Sequence, residues 1–132
     1  MINNTTGHVF VYGTLKVGGF YAEAFDTVRL SSKPAYIEGA LLDLHDFPGI
    51  KTCLGGRVHG EIHEYEQFDQ VINAMDQIEG YYGPGNKYNL FERIQVVATD
   101  ENEEKKEVIA YEFGQDLPDE KERVIKSGIW KI

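Results

Sequence analysis

The sequence predicts an α+β domain with a mixed, mostly antiparallel sheet of the kind that closes into a small barrel. Three observations lead there. At least five strand-like segments follow one another with no regular alternation of helices, which argues against a doubly wound parallel sheet. One segment, 66–79, abandons the twofold alternation for helical spacing of apolar residues. The length of 132 residues suits one domain, 1–132, large enough to bury a core without disulfides or metals.

In chain order, His8-Val9-Phe10-Val11-Tyr12 is a continuous apolar run rich in β-branched and aromatic residues, ended by Gly13. Such a run reads as a strand buried on both faces. Residues 13–19 form a loop, and Phe20 to Val28 reads as a short helix. Ala35 to Leu44 reads as a second strand. From Arg57 to Tyr65, Val58, Gly60 and Ile62 alternate with His59, Glu61 and His63, the pattern of a strand with one wet face. Phe68, Val71, Ile72, Met75 and Ile78 then follow the spacing of an amphipathic helix, and Gly80 supplies its stop. Tyr81 to Asn86 is a loop with Pro84 between two glycines. Tyr88 to Thr99 and Glu107 to Phe113 read as two long strands joined by the charged turn Asp100 to Lys106. The tail ends in Gly128-Ile129-Trp130, and Trp130 is expected to pack it onto the body.

Composition removes several classes of function. The 13 Lys and Arg against 22 Asp and Glu leave a net charge of −9, the wrong sign for nucleic acid or an anionic membrane. No run approaches the roughly 18 apolar residues of a membrane helix. The polar start, residues 1–7, lacks the basic and apolar stretches of a signal peptide, so the cytoplasm is the expected location. Cys53 is the single cysteine; it allows no intrachain disulfide or multi-cysteine metal site and reads as a packed thiol. Gly13 to Gly19 has the glycine spacing of a phosphate loop, but Gly19 and Phe20 stand where Lys and Ser or Thr are required. There is neither a dinucleotide fingerprint nor a G-x-S-x-G elbow, and no cofactor or metal is expected.

Three places remain for chemistry. On a helical wheel Glu79 falls about 20° from Phe68, inside the apolar stripe. It is either a solvated helix end or a partly buried carboxylate, whose desolvation would raise its pKa toward neutrality and make it a general acid and base. Tyr12-Gly13-Thr14-Leu15 follows a buried strand. It is either a plain turn or a nest of backbone N–H groups aimed at an anion. His59, Glu61 and His63 share one face of a strand; that is the polar side of an amphipathic strand or, less economically, a zinc site.

Several blocks together resemble the gamma-glutamyl cyclotransferase-like family. Val9-Phe10-Val11-Tyr12-Gly13-Thr14-Leu15-Lys16, followed by Gly18, is similar to its N-terminal signature. Val58-His59-Gly60-Glu61-Ile62 resembles its central strand, and Met75-Asp76-Gln77-Ile78-Glu79-Gly80-Tyr81 the helix end that carries its catalytic glutamate. Phe91-Glu92-Arg93, Ala110-Tyr111-Glu112-Phe113 and Ser127-Gly128-Ile129-Trp130 are similar to later blocks, so the resemblance spans nearly the whole chain in order.

The resemblance implies a single gamma-glutamyl cyclotransferase-like domain, a small mixed β-barrel with flanking helices. It also implies an enzyme that releases an amine or amino acid from a gamma-glutamyl compound and forms 5-oxoproline. Glu79 would be the catalytic proton acceptor and donor, and Tyr12, Gly13, Thr14 and Leu15 would hold the gamma-glutamyl group. Tyr111 either offers a hydroxyl to the substrate or belongs to the core, and Arg93 pairs with a substrate carboxylate or with Glu92 or another surface acid. The implied partner is a small molecule, with no nucleic acid, no membrane, and a monomer or homodimer as the assembly. One carboxylate, a few backbone donors and an orienting cavity suffice for such a ring closure. Phe91 stands where the family commonly has tyrosine, so any hydroxyl contact there is either lost or moved to Tyr88, and the insertion-like Tyr81 to Asn86 loop is expected to reshape the pocket mouth. A non-catalytic module binding a small carboxylate on the same fold is the alternative reading.

Overall fold

In a computed structural model, which describes residues 5–131, strands β1 (Thr6–Val11), β5 (Arg57–Glu66), β2 (Arg29–Glu38), β6 (Phe91–Asp100) and β7 (Lys105–Phe113) follow one another around a closed barrel. Part of the polar start, residues 1–4, lies outside the described residues. All ladders are antiparallel except the closing one, where β1 runs parallel to β7 with Val9 opposite Ile109. This is a small five-stranded mixed barrel with one α-helix, α1 (Phe68–Glu79), packed outside it.

β1 explains its own composition. Phe10, with Tyr12 just beyond the strand, belongs to the cluster that contains Ile37, Val58, Ile62, Val108 and Ala110. Val9 and Val11 belong to the other cluster, with Tyr65, Val71, Ile72 and Met75 under the helix. A strand buried on both faces has no polar side to alternate. α1 needs that second cluster, since a 12-residue helix is marginal alone. Met75 has no exposed surface. Met75→Ala is expected to destabilise the fold by about 2–5 kcal/mol, seen as a lower urea midpoint at unchanged m.

Three elements differ from expectation. The strand read as Ala35 to Leu44 is two strands. β2 ends at Glu38, Gly39 turns with φ +148°, and β3 (Ala40–Asp43) leaves the barrel to pair with β4 (Pro48–Lys51). The Gly39 N–H donates to the Gly56 carbonyl, which fixes the departure. β4 itself has only four residues, begins Pro-Gly, and is too short to display a period. The helix expected from Phe20 to Val28 is a single 3₁₀ turn, Ala22–Phe25. The sheet claims its end, because the Val28 carbonyl accepts the Glu66 N–H.

Cys53, read as packed, is exposed in the tight turn after β4. The tail behaves as expected. Ile125 N–H donates to Leu41, His59 N–H to Gly128, and Trp130 packs against the Phe10 cluster.

Candidate active site

The end of β1 and the end of α1 meet at one cavity of about 130 Å³. Tyr12, Gly13, Thr14 and Leu15 line one side; Ile78 and Glu79 line another, with Phe91, Tyr111 and the β3–β4 hairpin residues Phe47 and Pro48 between them. Among the described residues Glu79 is its only charged lining side chain.

The loop after β1 is held by its own turns. Lys16 N–H donates to Gly13 at 3.0 Å and Tyr21 N–H to Thr14 at 2.9 Å. Among the described residues no acceptor takes the N–H groups of Gly13, Thr14 or Leu15. Gly13 is glycine for want of space: a Cβ there would lie 2.5 Å from Cγ of Pro48.

Glu79 is the last residue of α1. Gly80, with φ +65°, ends the helix, and Tyr81 N–H donates back to Asp76 at 2.9 Å. The Glu79 side chain is partly exposed, at the cavity. It accepts no hydrogen bond and forms no ion pair among the described residues, and desolvation raises its pKa from 4.5 to about 7. A lone carboxylate in such a place is ionised and protonated in comparable amounts near neutrality.

Asp76, one turn earlier, has the opposite environment. Its Oδ1 accepts the Tyr111 hydroxyl at 2.7 Å and its Oδ2 accepts Arg93 Nη1 at 2.7 Å. Arg93 also lies over the Tyr81 ring, 5.1 Å from its centroid. Asp76 thus takes the nearby cation and the nearby phenol, and Glu79 keeps neither. Two acids a turn apart with divergent surroundings are a recurrent sign of an acid–base site.

Of the three tyrosines that line the cavity, Tyr12 and Tyr111 are buried. The Tyr12 hydroxyl donates to the Tyr111 carbonyl at 2.6 Å. Burial first, with the charge of Glu79 adding to it, raises the pKa of Tyr12. Burial first, then the bond to Asp76, raises that of Tyr111. Both stay protonated donors. Tyr111 lines the cavity and is also core, with its hydroxyl committed to Asp76. Arg93 pairs with that acid instead of facing the cavity. Tyr88 is 71% exposed and does not line the cavity, whereas Phe91 does, without a hydroxyl.

The His59, Glu61, His63 face is not uniformly wet. His63 is fully buried beside the Tyr65 ring, on which Phe25 packs in turn. Its Nε2 lies 2.8 Å from Glu61 Oε1 and its Nδ1 lies 2.7 Å from the Tyr65 hydroxyl. A carboxylate only accepts, so Nε2 carries the proton and Nδ1 accepts from Tyr65. Burial lowers the His63 pKa, consistent with a neutral ring. Glu61 Oε1 also accepts the Val17 N–H at 3.0 Å, which ties the cavity loop to β5. Glu61→Ala is expected to raise KM for a cavity ligand about three- to tenfold with a smaller change in kcat. It also leaves the buried His63 N–H unpaired at a cost of about 1–3 kcal/mol in urea unfolding.

Sequence reasoning did not assign Asp76, Pro48, Tyr21 or Leu90. Asp76 had a signal, because positions three apart share a helix face. The other three come from loops and a short hairpin whose placement only the fold supplies.

The chain belongs to the family described as gamma-glutamyl cyclotransferase, AIG2-like, whose profile matches residues 9–132. It is 36% identical over 89 residues to a curated protein of Niallia circulans, gamma-L-glutamyl-butirosin B gamma-glutamyl cyclotransferase. That match covers 67% of this chain and 55% of the relative, so only about half of the relative's length is spanned. Solved structures share the fold. An AIG2-like protein from Mus musculus superposes with a TM-score of 0.68 at 17% identity, over 96% of this chain and 88% of that one. YkqA from Bacillus subtilis gives 0.70 at 19% identity, covering 96% of this chain but 40% of that one. Among the described residues no helix is long and apolar enough to cross a membrane.

Proposed function

We propose that the chain is a gamma-glutamyl cyclotransferase-like enzyme that converts a gamma-glutamyl amide to 5-oxoproline and the free amine. The observation that carries this reading is the shared cavity. A carboxyl group with a pKa near 7 and a loop with three N–H groups that no described residue accepts line one cavity.

The substrate's α-amino nitrogen attacks its own γ-carbonyl carbon. Ionised Glu79 takes the proton this nitrogen sheds, and a tetrahedral oxyanion forms. The N–H groups of the 13–15 loop are suited to hold that oxyanion or the α-carboxylate of the substrate. Protonated Glu79 then delivers the proton to the amide nitrogen, the C–N bond breaks, and the amine departs with that proton. Glu79 ends as it began. A carboxyl group whose pKa lies near the operating pH serves both transfers. The enclosing walls keep the substrate curled with amine and carbonyl in contact.

Tyr12 and Tyr111 shape this cavity and lock the Asp76 side of it, so their part is to position. Incubating the purified chain with a panel of gamma-glutamyl amides and dipeptides is expected to yield 5-oxoproline and free amine in equal amounts. Saturable binding of gamma-glutamyl ligands with no product would favour the binding-module reading.

A further inference from the structure

We propose that the amine released at this site carries an apolar or aromatic substituent, and that this substituent rests on a rim formed by Tyr21, Phe20 and Leu90. The inference rests on the cyclotransferase reading and adds the class of substrate to it.

The enclosed volume, about 130 Å³, is well below the roughly 300–1,000 Å³ of pockets that engulf a drug-sized ligand. It has room for one amino-acid-sized group, which on this reading is the gamma-glutamyl moiety. Whatever hangs on the amide nitrogen lies at the mouth.

The mouth is apolar. Tyr21 and Leu90 both line the cavity yet remain 41% and 40% exposed. Phe20, 82% exposed, meets the Tyr21 ring edge-to-face at 4.8 Å and extends the surface outward. Two large exposed side chains on the cavity lining, with Phe20 packed on one of them, are a surface that a ligand can cover.

Position ties Leu90 to the leaving group. Its N–H donates to the Gly80 carbonyl at 3.0 Å, and its Cβ lies 3.2 Å from where a Cβ on Gly80 would stand. Leu90 therefore sits against the residue that follows Glu79 and lines the same cavity as the carboxyl that hands the proton to the departing nitrogen. An ammonium group on the substituent would have only Glu79 among the described lining residues for a counter-charge. It would compete with the proton transfer and shed water against an apolar wall.

The test compares two amides of matched length with the full chain: gamma-glutamyl-hexylamine and gamma-glutamyl-cadaverine, with gamma-glutamyl-phenethylamine as an aromatic member. The kcat/KM for 5-oxoproline release is expected to be at least about tenfold higher for the hexyl and phenethyl amides, a typical scale for apolar-pocket discrimination. Phe20→Ser and Leu90→Ser are each expected to narrow that ratio. Equal rates for the hexyl and cadaverine amides, or a preference for cadaverine, would overturn the proposal. So would a ratio untouched by both variants. Absence of 5-oxoproline from every amide would instead remove the cyclotransferase reading, and this inference with it.

Discussion

Glu79→Gln is expected to lower kcat for 5-oxoproline release by roughly 10²- to 10⁴-fold while leaving the barrel folded, the usual scale for removing a general base. Glutamine keeps the size and the apolar contacts of the side chain but cannot carry the proton. The same variant has a second signature in stability. The folded-state pKa of Glu79 is about 7, against 4.5 for the free side chain. Ionising it therefore costs the native state up to about 3 kcal/mol. The sign follows from the direction of the shift. The cost is absent below the unfolded pKa, grows as pH rises, and is complete above the folded pKa. Glutamine does not ionise and carries no such cost. Relative to wild type, Glu79→Gln is expected to gain in urea midpoint between pH 5 and pH 8. A difference that does not change between those pH values would place the carboxylate in water.

Gly13→Ala is expected to cost roughly 10²- to 10³-fold in kcat/KM with a much smaller loss of stability. Gly13 has no positive φ, so alanine meets no backbone strain there. What it meets is Pro48, at 2.5 Å and 2.9 Å from the new methyl carbon. Pro48 is fixed in the β4 ladder opposite Asp43, so the loop is the part that yields. On the proposed mechanism, moving the loop donors by about an ångström is enough for a loss of that size. Gly55→Ala is the matched control. Its Cβ would meet nothing within 4 Å, its φ is not positive, and it lies away from the cavity. Steady-state kinetics on both variants, with thermal unfolding alongside, separates a displaced site from a damaged fold.

The strongest periodic segments could be read directly. The unbroken apolar run 8–12 marked a strand with cores on both sides, and β1 indeed shares its side chains between two clusters. The spacing from Phe68 to Ile78 and the following Gly80 located α1 and its end to within a residue or two. Placement of Glu79 in the apolar stripe singled it out but left two readings, a solvated helix end or a partly buried carboxylate, because the wheel gives a direction and not what covers the last turn. Features set by long-range contacts could not be read. Gly39 looks like any glycine in a strand, and only the Gly56 and β4 neighbours make it the corner where the chain leaves the barrel. His63 alternates with apolar residues as a solvent-facing histidine would, yet it is buried beside Tyr65, on which Phe25 packs. The partners that leave Glu79 alone, Arg93 and Tyr111 bound to Asp76, come from strands 17 and 35 residues beyond Asp76.

The most direct measurement is the pH dependence of kcat/KM for 5-oxoproline release from one gamma-glutamyl amide, wild type beside Glu79→Gln. A wild-type rising limb with an apparent pKa near 7, absent in the variant, is the expected result. A rising limb near 4.5, or product formed by Glu79→Gln at the wild-type rate, would contradict the assignment of Glu79 as the base.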